Sequence, residues 1–180
     1  SLSYPVIDPK TEVAKEMFNT VTKKLLNNYG LKTLAKGEVH YTEVYEGDSY
    51  RRDISYHQGI TWPWLLGPYN DAFLNIINAE KSKSEKNNLI EHHQKFVEKL
   101  KKTYTKELNE GKTIGSISEL YDSKRPFESK GAFAQCWSVA EVFRIILKFC
   151  LKCRRKCMTI NQLEKELKEN KLSSIYLLYG

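Results

Sequence analysis

The side chains best suited to chemistry are concentrated in residues 51–64, whose sequence is RRDISYHQGITWPW. A polar run rich in hydrogen-bonding groups is followed at once by two indoles, Trp62 and Trp64. A pyranose presents hydroxyls at its edge and an apolar C–H face that packs against aromatic rings. The segment therefore has the composition of a sugar site, while the alternative is that the two indoles simply anchor a helix in the core.

Apolar periodicity predicts the helices that must position this segment. Helices are expected over residues 11–27, ended by Gly30, from about Thr61 with Pro63 in its first turn, over 84–108, from about 132, and from a capping box at Thr159. The residues expected to face inward are Val13, Met17, Val21 and Leu25; Trp62, Leu65, Leu66, Tyr69, Phe73 and Ile76; Leu89, His93, Phe96, Leu100 and Tyr104; Phe133, Trp137, Ala140, Phe143 and Leu147.

Two long stretches, residues 31–58 and 109–131, show no sustained period and are predicted to be loops. Loops of that length inside a compact domain are usually functional. Because helices alternate with long loops and no strand pattern persists, we predict an all-α fold of helical hairpins. Both loops should gather at one end, which is where chemistry is expected.

The basic charge of the chain is a local feature. A net charge of +7 would favour a nucleic-acid partner if it were spread over one face. The excess lies instead in residues 148–157, which hold five basic residues and no acid: Lys148, Lys152, Arg154, Arg155 and Lys156. We therefore expect no nucleic-acid partner, although a basic helical nucleic-acid binder remains an alternative hypothesis.

Three of the cysteines, Cys150, Cys153 and Cys157, fall in the same segment at helical spacing. A structural zinc site usually needs four ligands, and no histidine lies nearby in the sequence. Reduced thiols on the apolar side of a helix explain the pattern better, so no metal is expected. The one remaining cysteine, Cys136, stands apart.

The start of the chain and its apolar runs bear on localisation. No apolar stretch approaches the roughly 18 residues of a membrane span, and the first residues lack the basic region of a signal peptide. A cytoplasmic protein without membrane association is expected. The missing initiator methionine suggests a piece of a longer protein.

Several blocks of sequence, in the right order, resemble the amylo-α-1,6-glucosidase part of glycogen debranching enzymes. They are NYGLKTL at 28–34, the stretch 41–50, YHQGITWPWLLGP at 56–68, SELYD at 118–122 and AQCWSVAE at 134–141. The resemblance covers residues 1–148 and matches the C-terminal end of that catalytic domain. Residues 149–180 do not follow the family and form a divergent basic, cysteine-containing helical tail, whose apolar residues 175–178 could cover exposed surface.

The resemblance implies an (α/α)6 barrel that hydrolyses α-1,6-linked glucose at branch points of an α-glucan with inversion. It implies no cofactor. Five predicted helices are fewer than the twelve of such a barrel, so the chain would form a partial barrel with exposed interior faces. Self-association or the N-terminal half of the enzyme would then cover those faces.

The resemblance also implies roles for individual residues. Glu119 matches the general base, with Asp122 as fallback, and a cation such as Arg125 would help to keep the carboxylate ionised. The general acid belongs to a motif upstream of the matched blocks. His57 and Gln58 would bind sugar hydroxyls, and further residues would line the glucose pocket: Tyr56, Trp62, Trp64, Gln135 and Trp137.

Two polar residues outside this set are interpreted structurally, Asp53 as an ion-pair partner of Arg52 and His93 as a histidine at the edge of the core. The first hypothesis for the chain is the C-terminal part of a debranching glucosidase that carries the base but not the acid. The alternative is a non-catalytic remnant that binds α-glucan or docks onto a partner.

Overall fold

The computed structural model describes residues 3–4 and 6–157, with side chains as far as residue 150. In this part the helices are α1 (Glu12–Lys24), α2 (Ser49–Ser55), α3 (Leu66–Ala79), α4 (Lys83–Glu110) and α5 (Cys136–Cys157), with a 3-10 turn at Pro63–Leu65. The prediction of a mainly helical protein is confirmed. The chain divides into two compact units after Ile146. Of the second unit, the structure describes only residues 147–157, which form the last part of α5.

A small antiparallel sheet was not expected from the sequence. Its strands are β1 (Leu31–Lys32), β2 (Thr61–Trp62), β3 (Leu120–Tyr121) and β4 (Ser129–Lys130), in the order β1-β2-β3-β4. Leu31 pairs with Trp62, Thr61 with Tyr121, and Leu120 with Lys130. Strands of two residues carry no detectable period, so the all-α prediction missed them. The sheet joins the two predicted loops, which confirms that the loops meet.

The helix predicted from Thr61 in fact begins at Leu66. Trp62 is extended, with φ −115° and ψ 117°, and pairs with β1. A residue before proline is disfavoured in the helical region, so Pro63 keeps Trp62 extended and starts a 3-10 turn instead. The short helix α2 also lies inside the stretch predicted to be a loop.

The helix predicted from residue 132 begins at Cys136, and its inward face differs from the prediction. Phe133 is 72% exposed and Trp137 48% exposed. The buried face consists of Ser138, Val142 and Ile145. Residues 131–135 cannot join the helix because their backbone is bonded to the segment around Glu119.

The predicted position of α1 is confirmed, with Thr11 as its N-terminal cap, but the predicted face is wrong by one residue. Val13 and Met17 are exposed, whereas Ala14 and Phe18 are buried. The ring of Phe18 stacks on that of Tyr69 in α3 at 4.9 Å between centroids. The large aromatic ring thus determines which side of α1 faces the core.

Helices α3 and α4 pack against each other, and several of their residues predicted to face inward are buried. Tyr69, Phe73 and Ile76 of α3 are buried, and Tyr104 of α4 is fully buried. The Nε2 atom of His93 lies 2.9 Å from Oδ1 of buried Asn70. The interpretation of His93 as a histidine at the core edge is confirmed.

An ion-pair network fastens α5 to α3. Both terminal nitrogens of Arg144 donate to the carboxylate of Asp71 at 2.9 Å, and the same guanidinium binds Glu141. Gly67 makes room for this network, since a Cβ there would lie 1.7 Å from an oxygen of Glu141. These contacts fix the start of α5, which carries Trp137.

Several expectations lie outside the described residues: the helix from Thr159, the apolar residues 175–178 of the tail, and the side chains of Cys153 and Cys157. Within the described residues, no helix is both long and apolar enough to cross a membrane.

Candidate active site

Glu119 precedes β3, and each of its carboxylate oxygens accepts one hydrogen bond. The hydroxyl of Tyr56 donates to Oε1, and the backbone amide of Ala132 donates to Oε2 at 2.9 Å. The amide of Glu119 in turn donates to the carbonyl of Ala132 at 2.9 Å. The carboxylate is half-buried and has a fixed orientation, with one donor on each side.

The turn after β4 comes unusually close to this carboxylate. Gly131 has φ +69°, and a Cβ at this position would lie 2.4 Å from Oε2 of Glu119. A side chain here would be both strained and in collision with the carboxylate. Glycine at this position therefore favours the close approach of Ala132 to Glu119.

Tyr56 directly follows α2 and is held on two sides. Its ring lies edge-on to the rings of His57 and Trp62, at 4.8 and 4.7 Å between centroids. Its carbonyl accepts a hydrogen bond from Nε1 of Trp62 at 3.1 Å. Burial and the neighbouring Glu119 carboxylate raise the pKa of the Tyr56 hydroxyl, so it remains protonated and can donate.

Four aromatic or imidazole rings continue from Tyr56 towards α5. His57 stacks on Trp62 at 5.5 Å with 6° between the ring planes. Trp137 lies 6.3 Å from Trp62 and stacks on Trp64 at 5.8 Å with 30° between the planes. Trp62 is buried, whereas His57 and Trp137 are exposed. We call residues 57, 62, 64 and 137 the aromatic wall. The rings of residues 57 and 137 are its solvent-exposed part.

The two glutamines predicted to bind sugar both accept hydrogen bonds from backbone amides. The carbonyl of Gln58 accepts from the amide of Thr42 at 2.6 Å. The side-chain oxygen of Gln135 accepts from the amide of Cys136 at 3.1 Å, at the start of α5. The structure thus brings Glu119 together with Tyr56 and the aromatic wall. In the sequence, Gln58 directly follows His57 and Gln135 lies two residues before Trp137.

Asp122, the fallback base, is buried and engaged elsewhere. Its Oδ1 accepts from the amide of Tyr45 at 2.9 Å, and its Oδ2 lies 3.7 Å from Nζ of Lys130. Burial is the largest influence on the pKa of Asp122 and raises it above the ordinary aspartate value. The carboxylate connects β3 to the loop before α2.

Two predicted ion pairs are absent from the described part of the chain. Arg125 is exposed, and the side chain that contacts Glu119 is Tyr56 instead. Arg52 donates to the carbonyl of Gly47 at 3.0 Å rather than to Asp53, which is exposed. Both predictions took residues that are near in sequence for partners in space.

Sequence reasoning missed the backbone contribution of Gly131 and Ala132. A glycine within a predicted loop was the available signal, but its carboxylate partner lies 12 residues away and could not be inferred. Among the described residues, no cluster of three or more histidine, cysteine or acidic side chains is arranged to hold a metal ion.

The model of the protein family described as amylo-alpha-1,6-glucosidase matches residues 1–144. The chain belongs to the amylo-alpha-1,6-glucosidase family. The match includes Glu119, Tyr56 and the aromatic wall, and it confirms the resemblance seen in the sequence. A comparison with curated proteins finds no match. Membership of the amylo-alpha-1,6-glucosidase family relates the chain to glycogen debranching and to α-glucan substrates.

Proposed function

We propose that this chain supplies the general base and the glucose subsite of an inverting glucosidase that cleaves α-1,6-linked glucose at glucan branch points. One observation carries the proposal: the half-buried carboxylate of Glu119, held by two donors, lies in one cluster with exposed aromatic rings. Membership of the family supports the substrate class. The residue roles are our proposal.

In the proposed reaction, the oxygen of a water molecule attacks C1 of the glucose while Glu119 accepts the water proton. The bond from C1 to the leaving oxygen breaks on the opposite face, and a general acid protonates that oxygen. The two carboxyl groups of an inverting glycosidase lie roughly 6.5 to 9.5 Å apart, which leaves room for the water. We propose that the acid comes from the part of the enzyme upstream of this chain.

Several features suit Glu119 to the role of base. Two hydrogen-bond donors fix the orientation of its carboxylate, a group that can accept a proton from water. Neither donor is a cation, so the carboxylate is oriented without being neutralised by an ion pair.

The aromatic wall supports the binding part of the proposal. The apolar face of a glucose unit packs well against an exposed indole, and Trp137 keeps about half of its surface open. Trp64 stacks against Trp137 and holds its ring in place. The imidazole of His57 provides polar atoms for hydrogen bonds with sugar hydroxyls. Gln58 and Gln135 would complete the polar contacts.

The same exposed rings favour the alternative function, which is α-glucan binding without catalysis. An indole platform binds a glucan whether or not an acid is supplied. The two candidates differ only in what happens when the missing acid, or a substrate that does not need it, is provided.

A partial (α/α)6 barrel is the architecture we propose for residues 1–148, followed by the divergent tail over 149–180. The exposed apolar residues Val13 and Met17 on α1 support a further element packing there. In a cytoplasmic enzyme this element would be the N-terminal half or a second copy of the chain.

The first experiment measures free glucose released from an α-1,6-branched limit dextrin. Without a general acid, catalysis loses a factor of about 10² to 10⁴, so the chain alone should be almost inactive. Addition of the upstream part of the enzyme should restore release. If the mixture binds dextrin but releases no glucose, the binding-only function is correct.

A second experiment uses the chain alone with α-glucosyl fluoride. Fluoride leaves with the electron pair of the C–F bond and needs little protonation, so the reaction requires a base but hardly an acid. The proposal predicts hydrolysis with β-glucose as the first product. A binding-only chain would leave the fluoride intact.

A further inference from the structure

Tyr56 donates to Glu119 across 63 positions of sequence, and among the described residues it is the side chain that donates to this carboxylate. We propose that Tyr56 is a positioning residue that orients the Glu119 carboxylate towards the attacking water, rather than a ligand of the sugar. This inference rests on the proposed role of Glu119 as base. It differs from the expectation that Tyr56 merely lines the glucose pocket.

The geometry of the two donors explains the orienting effect. Each carboxylate oxygen has two lone pairs, and Tyr56 and the Ala132 amide each occupy one, on opposite oxygens. Rotation of the carboxylate would break both hydrogen bonds. One lone pair on each oxygen is left for a water molecule, in a fixed direction.

Tyr56 is itself held firmly enough to position another group. Trp62 donates to the Tyr56 carbonyl at 3.1 Å and packs edge-on against its ring, while the Tyr56 amide donates to the carbonyl of Asp53 at 3.4 Å. A side chain locked by packing and hydrogen bonds keeps its partner in place. The hydroxyl is therefore a rigid donor.

The charged and titratable groups around the pair are compatible with a neutral donor. The rings of Tyr45 and His57 lie 5.7 and 4.8 Å from that of Tyr56. The nearby ammonium of Lys130 is directed at Glu128 and Asp122, at 3.1 and 3.7 Å. A neutral phenol orients the carboxylate through a hydrogen bond without forming an ion pair.

The kinetic test compares Tyr56→Phe with Tyr45→Phe, using α-glucosyl fluoride and the chain alone. Tyr45 provides a matched control because its ring lies in the same cluster but has no contact with Glu119. A hydrogen bond to a charged group corresponds to about a tenfold effect or more. Tyr56→Phe should lower kcat about tenfold with KM nearly constant. Tyr45→Phe should change neither.

A sugar ligand would give the opposite pattern. If Tyr56→Phe raises KM while kcat stays unchanged, the positioning role is overturned. Equal changes in Tyr45→Phe and Tyr56→Phe would also overturn it, because the effect would then come from packing of the cluster.

A spectroscopic test separates this inference from the proposed function. The hydroxyl proton of Tyr56, hydrogen-bonded to the Glu119 carboxylate, should give a downfield proton resonance that is lost in both Tyr56→Phe and Glu119→Gln and retained in Tyr45→Phe. If this resonance is absent from the wild-type protein, the positioning contact fails. If it is present but the wild-type protein does not hydrolyse the fluoride, the proposed base fails and the positioning role with it.

Discussion

Gly131 and Glu119 lie so close together that a Cβ added at Gly131 would displace the Glu119 carboxylate. A Cβ on Gly131 would lie 2.4 Å from Oε2 of Glu119 and 3.1 Å from its Cβ. The glycine adopts φ +69°, which brings the amide of Ala132 to the carboxylate. The turn after β4 is therefore part of the site, although it contributes only backbone atoms.

Gly131→Ala should lower turnover of α-glucosyl fluoride at least tenfold by displacing the carboxylate. Gly115→Ala is the matched control, since Gly115 also has positive φ but has no atom within 4 Å of its would-be Cβ. Both variants should lose about 1–2 kcal/mol of unfolding free energy from backbone strain. Denaturant unfolding should show the same loss of stability in both variants, because both share the backbone strain. The kinetics should show a loss of turnover in Gly131→Ala alone, because only that variant displaces the carboxylate. Equal activity of the two variants would contradict a functional role of this turn.

Trp137→Ala should weaken glucan binding with little effect on stability. The indole is 48% exposed, so its removal leaves no large cavity, but a stacking surface for sugar is lost. Calorimetric titration with a branched dextrin should give a Kd raised about tenfold, or about 1.4 kcal/mol. Ile114→Ala, at another exposed apolar residue, should leave Kd unchanged. A similar affinity in both variants would remove Trp137 from the binding surface.

Arg144→Met should destabilise the attachment of α5. The guanidinium binds Asp71 through both terminal nitrogens, a geometry that an isolated surface pair lacks. The loss should be about 1–2 kcal/mol in urea unfolding. Lys95→Met, which removes an exposed helical pair with Glu91, should cost under about 0.5 kcal/mol. Equal losses would mean that the Arg144 network adds nothing beyond a surface ion pair.

Asp122→Asn should change how stability depends on pH. Burial raises the pKa of Asp122 in the folded protein above its unfolded value, so the folded state binds more protons between these two values. Its contribution to stability is complete below the unfolded pKa and is lost as the pH rises through the folded pKa. The unfolding free energy of the wild type minus that of Asp122→Asn should therefore fall as the pH rises through this window. A constant or rising difference would contradict the desolvated state of Asp122.

Asp122→Asn also tests the fallback assignment of the base. Asparagine retains an oxygen that can accept from the amide of Tyr45, so the variant should fold. Because Asp122 is buried and directed at Tyr45 and Lys130, turnover of α-glucosyl fluoride should persist. A loss of turnover as large as that of Glu119→Gln would make Asp122 the better candidate.

The long helices were predictable because their apolar residues repeat over many turns. The position of α4 and the buried set of α3 follow from this period, and family-like blocks indicated Glu119 and the aromatic residues as candidates for the site. The inward faces of α1 and α5 were not predictable. Phe18 rather than Val13 faces the core because its ring stacks on Tyr69. In α5 the buried face is formed by Ser138, Val142 and Ile145, which leaves Trp137 exposed.

The internal geometry of the site depends on pairings that a sequence pattern does not encode. The two-residue strands have no period, yet they bring the loop carrying Tyr56 to the loop carrying Glu119. Ala132 reaches Glu119 through a single glycine with positive φ. Such contacts depend on the whole fold, so the sequence could suggest the participants but not their partners.

The most direct test of the account compares wild type and Glu119→Gln on α-glucosyl fluoride, with the anomer of the first glucose released followed by proton NMR. We predict that the wild type releases β-glucose and that Glu119→Gln is slower by about 10² to 10⁴ while dextrin affinity stays within about twofold. Equal turnover by the two proteins, or release of α-glucose first, would contradict the assignment of Glu119 as the base of an inverting glucosidase.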